Sequence, residues 1–210
     1  MPEHHDHCNH DHIHDHDIHG NDLGPQDNLY TYIDHQNVVA LNITGVHPAS
    51  SIIKPWHQRT NEDVYIESDA DDQIIIRIPF TGSVRLRAIL LKTGPALHTP
   101  SKIFLFPNDM NLDFNDVTDK VPSQEVNVVQ TREVGEYSIK TAKFSNTSSI
   151  SLYIPSSQGA DTTRIYYLGF LGHWSERKDK PVITVYEAQP NISDHEKIQG
   201  TGNNFSTPRM

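Results

Sequence analysis

Residues 68–91 (SDADDQIIIRIPFTGSVRLRAILL) constrain this chain most. An acidic turn carrying Asp69, Asp71 and Asp72 leads into an apolar run at 74–78 (IIIRI). Pro79, Phe80, Thr81, Gly82 and Ser83 follow, and a second apolar run fills 84–91 (VRLRAILL). Side chains alternate across a strand, so Ile74, Ile76, Ile78 and Phe80 share one face. By the same rule Val84, Leu86, Ala88 and Leu90 share one face of the second run. Pro and Gly between two alternating runs read as a turn, so the pattern predicts two half-buried strands joined by a short Gly-containing turn. Arg77, Arg85 and Arg87 fall on the opposite faces. If the strands pair directly they form a basic stripe, open to an acidic partner surface or to carboxylates on the same sheet face. The stretch holds no nucleophile–base pair and reads as the core of a binding module.

Shorter β-like runs flank it. Residues 29–34 (LYTYID) alternate weakly, and 38–42 (VVALN) are apolar. Further runs lie at 102–106 (KIFLF), 125–129 (EVNVV), 137–140 (YSIK), 150–154 (ISLYI), 163–172 (TRIYYLGFLG) and 182–186 (VITVY). Turn clusters rich in Pro, Gly, Asn, Asp and Ser separate them. No stretch of a dozen residues keeps a 3.6 period, and there is no internal repeat. Many short strands at this spacing predict an all-β fold, an antiparallel sandwich or jelly roll, over residues 25–190. Residues 191–210 turn polar and are expected to form a loose tail.

The leading residues are different in kind. Residues 1–24 alternate His with Asp and hold eight of the 14 histidines: His4, His5, His7, His10, His12, His14, His16 and His19. So polar a segment cannot bury enough apolar surface to offset its ordering entropy, and disorder is expected there. His-rich tracts are compositional candidates for metal binding. With Met1 removed, the free amine of Pro2, two backbone nitrogens and the His4 imidazole would make a square-planar site for Cu(II) or Ni(II). Cys8 with neighbouring histidines would suit Zn(II). The tract lacks fixed ligand spacing, so such binding is expected to be adventitious, with no cofactor required.

Net charge is −10, and its placement decides what it means. Residues 1–53 carry eight acids and no Lys or Arg, while the remaining 157 residues hold 19 acids and 17 bases. The acidity belongs to the head, which disfavours nucleic acid as a partner. No apolar run approaches the ~18 residues of a membrane span, so no membrane role is expected. The N-terminus lacks the features of a secretory signal or transit peptide, and the lone Cys8 cannot form an internal disulfide. A monomer in the cytoplasm and nucleus is the expectation.

Three constellations deserve weighing. Glu67, Ser68, Asp69, Asp71 and Asp72 offer Ca(II)-type oxygens without the loop spacing of a known calcium motif, and a capping or solvated turn is preferred. Asp161, Thr162 and Thr163 after Gly159 could meet a sugar or an ion, and a turn that starts the next strand is preferred. Trp56, after Pro55, could stack a sugar or peptide, although such a Trp is more often core at a sheet edge. Thiol-pair, serine-hydrolase, zinc-protease and nucleotide-loop motifs are absent, so catalysis is not indicated.

Several stretches together resemble the PITH domain family, named for proteasome-interacting thioredoxin proteins. They are KPWHQRT (54–60), ESDADDQIIIRIPFTGSVRLRAI (67–89), KFSN (143–146) and GADTTRIYYLGFLGHW (159–174). YTYIDHQNVVALN (30–42) fits the family's opening less closely. With no thioredoxin module in sight, the chain resembles the family's stand-alone form, and no oxidoreductase activity is carried over. The resemblance implies a galactose-binding-like jelly roll and association with the 26S proteasome regulatory particle. Of the matching residues, Lys54, Glu67, Asp69, Asp71 and Asp161 are the polar ones expected on a partner surface, with Trp56 and Thr162 beside them. A sugar-binding module and a metal-handling protein acting through the head remain as alternatives.

Overall fold

Gly82 does not make a turn. In the computed structural model, which describes residues 24–177, Ile74–Thr93 is one strand, β3. The expected hairpin is therefore corrected to a continuous 20-residue strand. Gly82 is not among the glycines with positive φ, so nothing turns the chain there. Its lack of a side chain serves a close approach instead, since a Cβ on Gly82 would lie 2.3 Å from Trp174 Nε1. Pro79, which has no N–H to donate, sits where the ladder is interrupted.

Seven further strands surround β3: Val39–Leu41 (β1), Ile66–Glu67 (β2), Lys102–Pro107 (β4), Gln124–Asn127 (β5), Gly135–Ser138 (β6), Thr147–Ile154 (β7) and Arg164–Ser175 (β8). All pairings are antiparallel. The first half of β3 lies between β1 and β7, with β4 and β5 beyond β7. Its second half lies between β6 and β8, with β2 beyond β8. β3 thus passes from one layer to the other. The register against β7 slips between Pro79 and Val84, where the strand changes layer. The architecture is an all-β antiparallel sandwich, as the strand spacing predicts.

The main core fills the space between the layers. Ile74, Ile76, Ile78, Phe80, Val84 and Leu86 all contribute to it, with Ile150, Leu152 and Ile154 from β7 and Ile165, Leu168 and Phe170 from β8. The second expected face does not hold. Val84 and Leu86 point into this core, whereas Ala88 and Leu90 join Tyr167 and Leu171 on the outer side. The cause is a bulge: Leu86 pairs with Gly172 and Ala88 with Leu171, leaving Arg87 as the extra residue. One extra residue flips every later side chain to the other face, which puts Ile89 and Leu91 inward.

The basic stripe is also corrected. Arg77, Arg85 and Arg87 lie along one strand, not across two. Arg77 donates through Nε and Nη2 to Leu112 O, anchoring the segment between β4 and β5. That segment covers a small outer cluster of Ile75, Phe106 and Leu112. Residues 29–34, read as weakly alternating, hold a single 3-10 turn, Tyr30–Tyr32. The run at 182–186 and both tails lie outside the described residues.

Candidate functional site

The loops at one end of the sandwich gather most of the polar residues singled out above. β2 and β8 pair Glu67 with Arg164, a cross-strand pair of opposite charge. Arg164 Nη2 donates to Glu67 Oε2 at 2.8 Å, and Thr162 Oγ1 donates to Glu67 Oε1 at 2.7 Å. His98 Nδ1 lies 3.1 Å from Thr162 O and 2.9 Å from Thr162 Oγ1. A carbonyl only accepts, and the threonine proton already goes to Glu67, so Nδ1 carries the proton. The Arg164 guanidinium stands 4.4 Å over the Tyr65 ring, which meets Tyr166 and His47 edge-on.

Burial by itself would raise the pKa of Glu67. Hydrogen bonds from Thr162 and Arg164 and the charges of Arg164 and His98 outweigh it, holding the carboxyl below its ordinary 4.5. A depressed folded-state pKa contributes stability in full above the unfolded value, and that contribution is lost as pH falls through the folded value. Glu67→Gln is therefore expected to cost about 1–3 kcal/mol at neutral pH. The difference from wild type should shrink below about pH 4. Chemical denaturation of both proteins from pH 7 to pH 3 checks this; a gap that stays constant with pH contradicts it.

The acidic loop of 68–73 is tied down on both sides. Ser68 N donates to Thr163 O, and Thr163 N to Ser68 Oγ, so the β2–β8 register runs on past the strand ends. Asn42, at φ 61°, acts as a latch. Its Nδ2 donates to Asp71 Oδ1 and Gln73 O at 2.7 Å each, and its Oδ1 accepts from Ala70 N at 3.0 Å. Asp71 Oδ1 also accepts from Gln73 N, and Asp72 Oδ2 from Ser157 N. These carboxylates point to separate partners. No group of three or more His, Cys, Asp or Glu able to hold a metal occurs among the described residues. The preferred reading of this loop as a capping turn matches that arrangement.

Asp69 and Asp161 differ from their neighbours. Both are exposed, and the continuing register sets Asp69 alongside the Asp161–Thr162 corner. Among the described residues neither carboxylate has an ion pair or a side-chain hydrogen bond. The acidic loop and this corner make a rigid surface with outward negative charge.

Lys54 and Trp56 are placed differently. Lys54 is buried, and its Nζ donates to Asn61 O at 2.9 Å and Val64 O at 2.7 Å. Burial lowers its pKa, with Asp63 opposing. Its ammonium clasps the loop ahead of β2 rather than facing a partner. Trp56 packs on the outer cluster of Ala88, Leu90, Tyr167 and Leu171, and Arg59 covers one ring face at 4.2 Å. That is the packing of a sheet-edge Trp and leaves that face closed to a sugar. Sequence reasoning missed His98, Arg164 and Asn42. Asn42 and His98 carry no local signal, because their partners lie 28 or more residues away. The histidines of the head and Cys8 lie outside the described residues.

A domain model described as the PITH domain matches residues 19–190. A PITH domain-containing protein of Schizosaccharomyces pombe is 35% identical over 179 residues, covering 83% of this chain and 86% of its own. PITH domain-containing protein 1 of Homo sapiens is 36% identical over 176 residues, 82% of each chain. Among solved structures, the fucolectin from striped bass (Morone saxatilis) serum aligns with a TM-score of 0.51 at 11% identity. It covers 70% of this chain and 49% of its own. At that identity the likeness is one of fold alone, a galactose-binding-like sandwich. The motifs, the core they build and the match across most of the chain lead to one conclusion: this chain belongs to the PITH domain family.

Proposed function

We propose that this protein is a docking module that associates with the 26S proteasome regulatory particle through the 68–73 and 159–163 loops. Membership of the PITH domain family supports an interaction role, and the fold presents loops from a sandwich scaffold. The observation that carries the proposal is the contrast within the acidic end. Glu67, Asp71 and Asp72 are bound internally and hold the loops in place, while Asp69 and Asp161 are exposed and have no partner among the described residues. Pre-ordered loops with free charges bind at lower entropic cost and select a partner of opposite charge. The partner surface is therefore basic. Binding rather than catalysis fits a network in which Glu67 is held by Thr162 and Arg164.

A native pulldown with the full-length protein tests this. Wild type is expected to recover regulatory-particle subunits. An Asp69→Lys/Asp161→Lys variant should recover roughly tenfold less at low salt with an unchanged melting temperature. Lys54, Glu67 and Asp71 are unsuitable probes, because their loss perturbs the loops. Recovery of no regulatory-particle subunits by wild type, or equal recovery by both, overturns the proposal.

A further inference from the structure

Four stretches of the chain meet around an open cavity of about 660 Å³. Thr93 ends β3, Thr99 follows the 3-10 turn Ala96–His98, Tyr166 belongs to β8, and Gln130 and Arg132 lie in the loop between β5 and β6. Glu62, from the loop ahead of β2, stands on the rim. None of these residues belongs to the 68–73 or 159–163 loops.

Two hydroxyls in the wall are unused within the domain. Thr93 is 8% exposed and Thr99 1%, and among the described residues neither Oγ1 makes a hydrogen bond. A buried hydroxyl without a partner carries a desolvation penalty, which a polar guest in the cavity relieves. The backbone beneath is fixed. Thr99 N donates to Ala96 O at 3.1 Å, and Thr99 O accepts from Gln158 N at 2.9 Å. Gln158 Nε2 donates to Pro100 O at 2.9 Å and to Val128 O at 2.8 Å. That side chain ties the β5–β6 loop to the turn bearing Thr99.

The charged groups decide which guest fits. Lys92 is buried, and its Nζ meets Glu62 Oε1 at 2.9 Å and donates to Arg132 O. This contact neutralises the single carboxylate of the lining and pins the Arg132 backbone. The Arg132 side chain is exposed, and among the described residues it has neither an ion pair nor a hydrogen bond. Glu133, next along the chain, lies outside the lining. The groups left free are a guanidinium, the Gln130 amide and two threonine hydroxyls, all of which can donate. A guanidinium fork beside hydroxyl donors suits an oxyanion. A cation would instead meet Lys92 and Arg132 with the lining carboxylate already engaged.

We propose that this cavity binds a small organic oxyanion, a carboxylate or a phosphate monoester, with its charged group between Arg132 and the Thr99 hydroxyl. The volume falls within the roughly 300–1,000 Å³ of small-molecule sites. The inference is independent of the proteasome reading, because it uses a different set of residues and the opposite charge.

Titrations of the full-length protein with citrate and with glycerol 3-phosphate, followed through the amide resonances, test this. At least one of the two is expected to give saturable shifts centred on Thr93, Thr99 and Arg132. A response to citrate assigns the carboxylate, and a response to glycerol 3-phosphate the phosphate. Arg132→Gln should weaken binding roughly tenfold, and Thr99→Val roughly three- to tenfold. Thr99→Val should also keep the melting temperature of wild type or raise it, since the lost hydroxyl has no partner among the described residues. Glycerol, which has hydroxyls but no charge, should give no saturable shift. Saturation by neither anion, shifts centred on another face, an equal response to glycerol, or unchanged affinity in both variants overturns the proposal.

Discussion

Gly172→Ala is expected to destabilise the domain by about 3 kcal/mol, the upper end for forcing a methyl group into a packed interior. A Cβ at Gly172 would stand 2.2 Å from Arg85 O and 3.1 Å from Leu86 Cα. Those atoms are backbone of the paired strand, so no rotamer change relieves the clash. Gly172 faces Leu86 just ahead of the bulge at Arg87, where the two strands draw close. Relief requires separating β3 from β8, the pairing on which the second layer depends. Gly135→Ala is the matched control. The atoms nearest its methyl would belong to the Tyr137 side chain, the closest at 2.8 Å, on an edge strand where a side chain can yield, so about 1 kcal/mol is expected. Urea denaturation midpoints compare the two, and equal losses would show that the backbone approach is not the cause.

Phe144→Ala is expected to cost about 3–5 kcal/mol. Phe144 ends the one-turn 3-10 helix Thr141–Phe144 and is fully buried in the main core. Its ring leaves a cavity that strands cannot collapse into without breaking ladder bonds. Phe114 makes a useful comparison. It is half-buried in the small outer cluster, on the segment between β4 and β5, and Phe114→Ala should cost nearer 1 kcal/mol. A Phe144→Ala protein that keeps wild-type stability would show that this short turn does not close the core.

The same residues show how a local signal can be right and its interpretation wrong. Positions 74, 76, 78, 80, 82, 84 and 86 keep one unbroken period of two through Gly82, and the structure follows it. Pro79 and Gly82 disguised this as a turn, because both residues are common in turns. Their actual uses are non-local: Pro79 sits where the ladder to β7 breaks, and Gly82 lies under Trp174. The bulge at Arg87 was hidden for a related reason. A bulge is set by the partner strand, and nothing in VRLRAILL marks which residue goes unpaired.

At the site, residue type located the region but not the role of each member. Lys54 looked like a surface cation and is a buried clasp. Asp71 looked free and is latched by Asn42, a residue 29 positions away. Among the described residues, Asp69 and Asp161 are exposed and make no ion pair or side-chain hydrogen bond.

By itself, the sequence determined the all-β class, most strand positions and the family, because alternation and turn chemistry act over a few residues. Tertiary structure alone decided that β3 is one strand shared by two layers. It also decided that Glu67 meets Arg164 across 97 residues and that Lys54 turns inward. Those outcomes depend on which strands close against each other. Closure is a property of the whole core, and no local window of the chain encodes it.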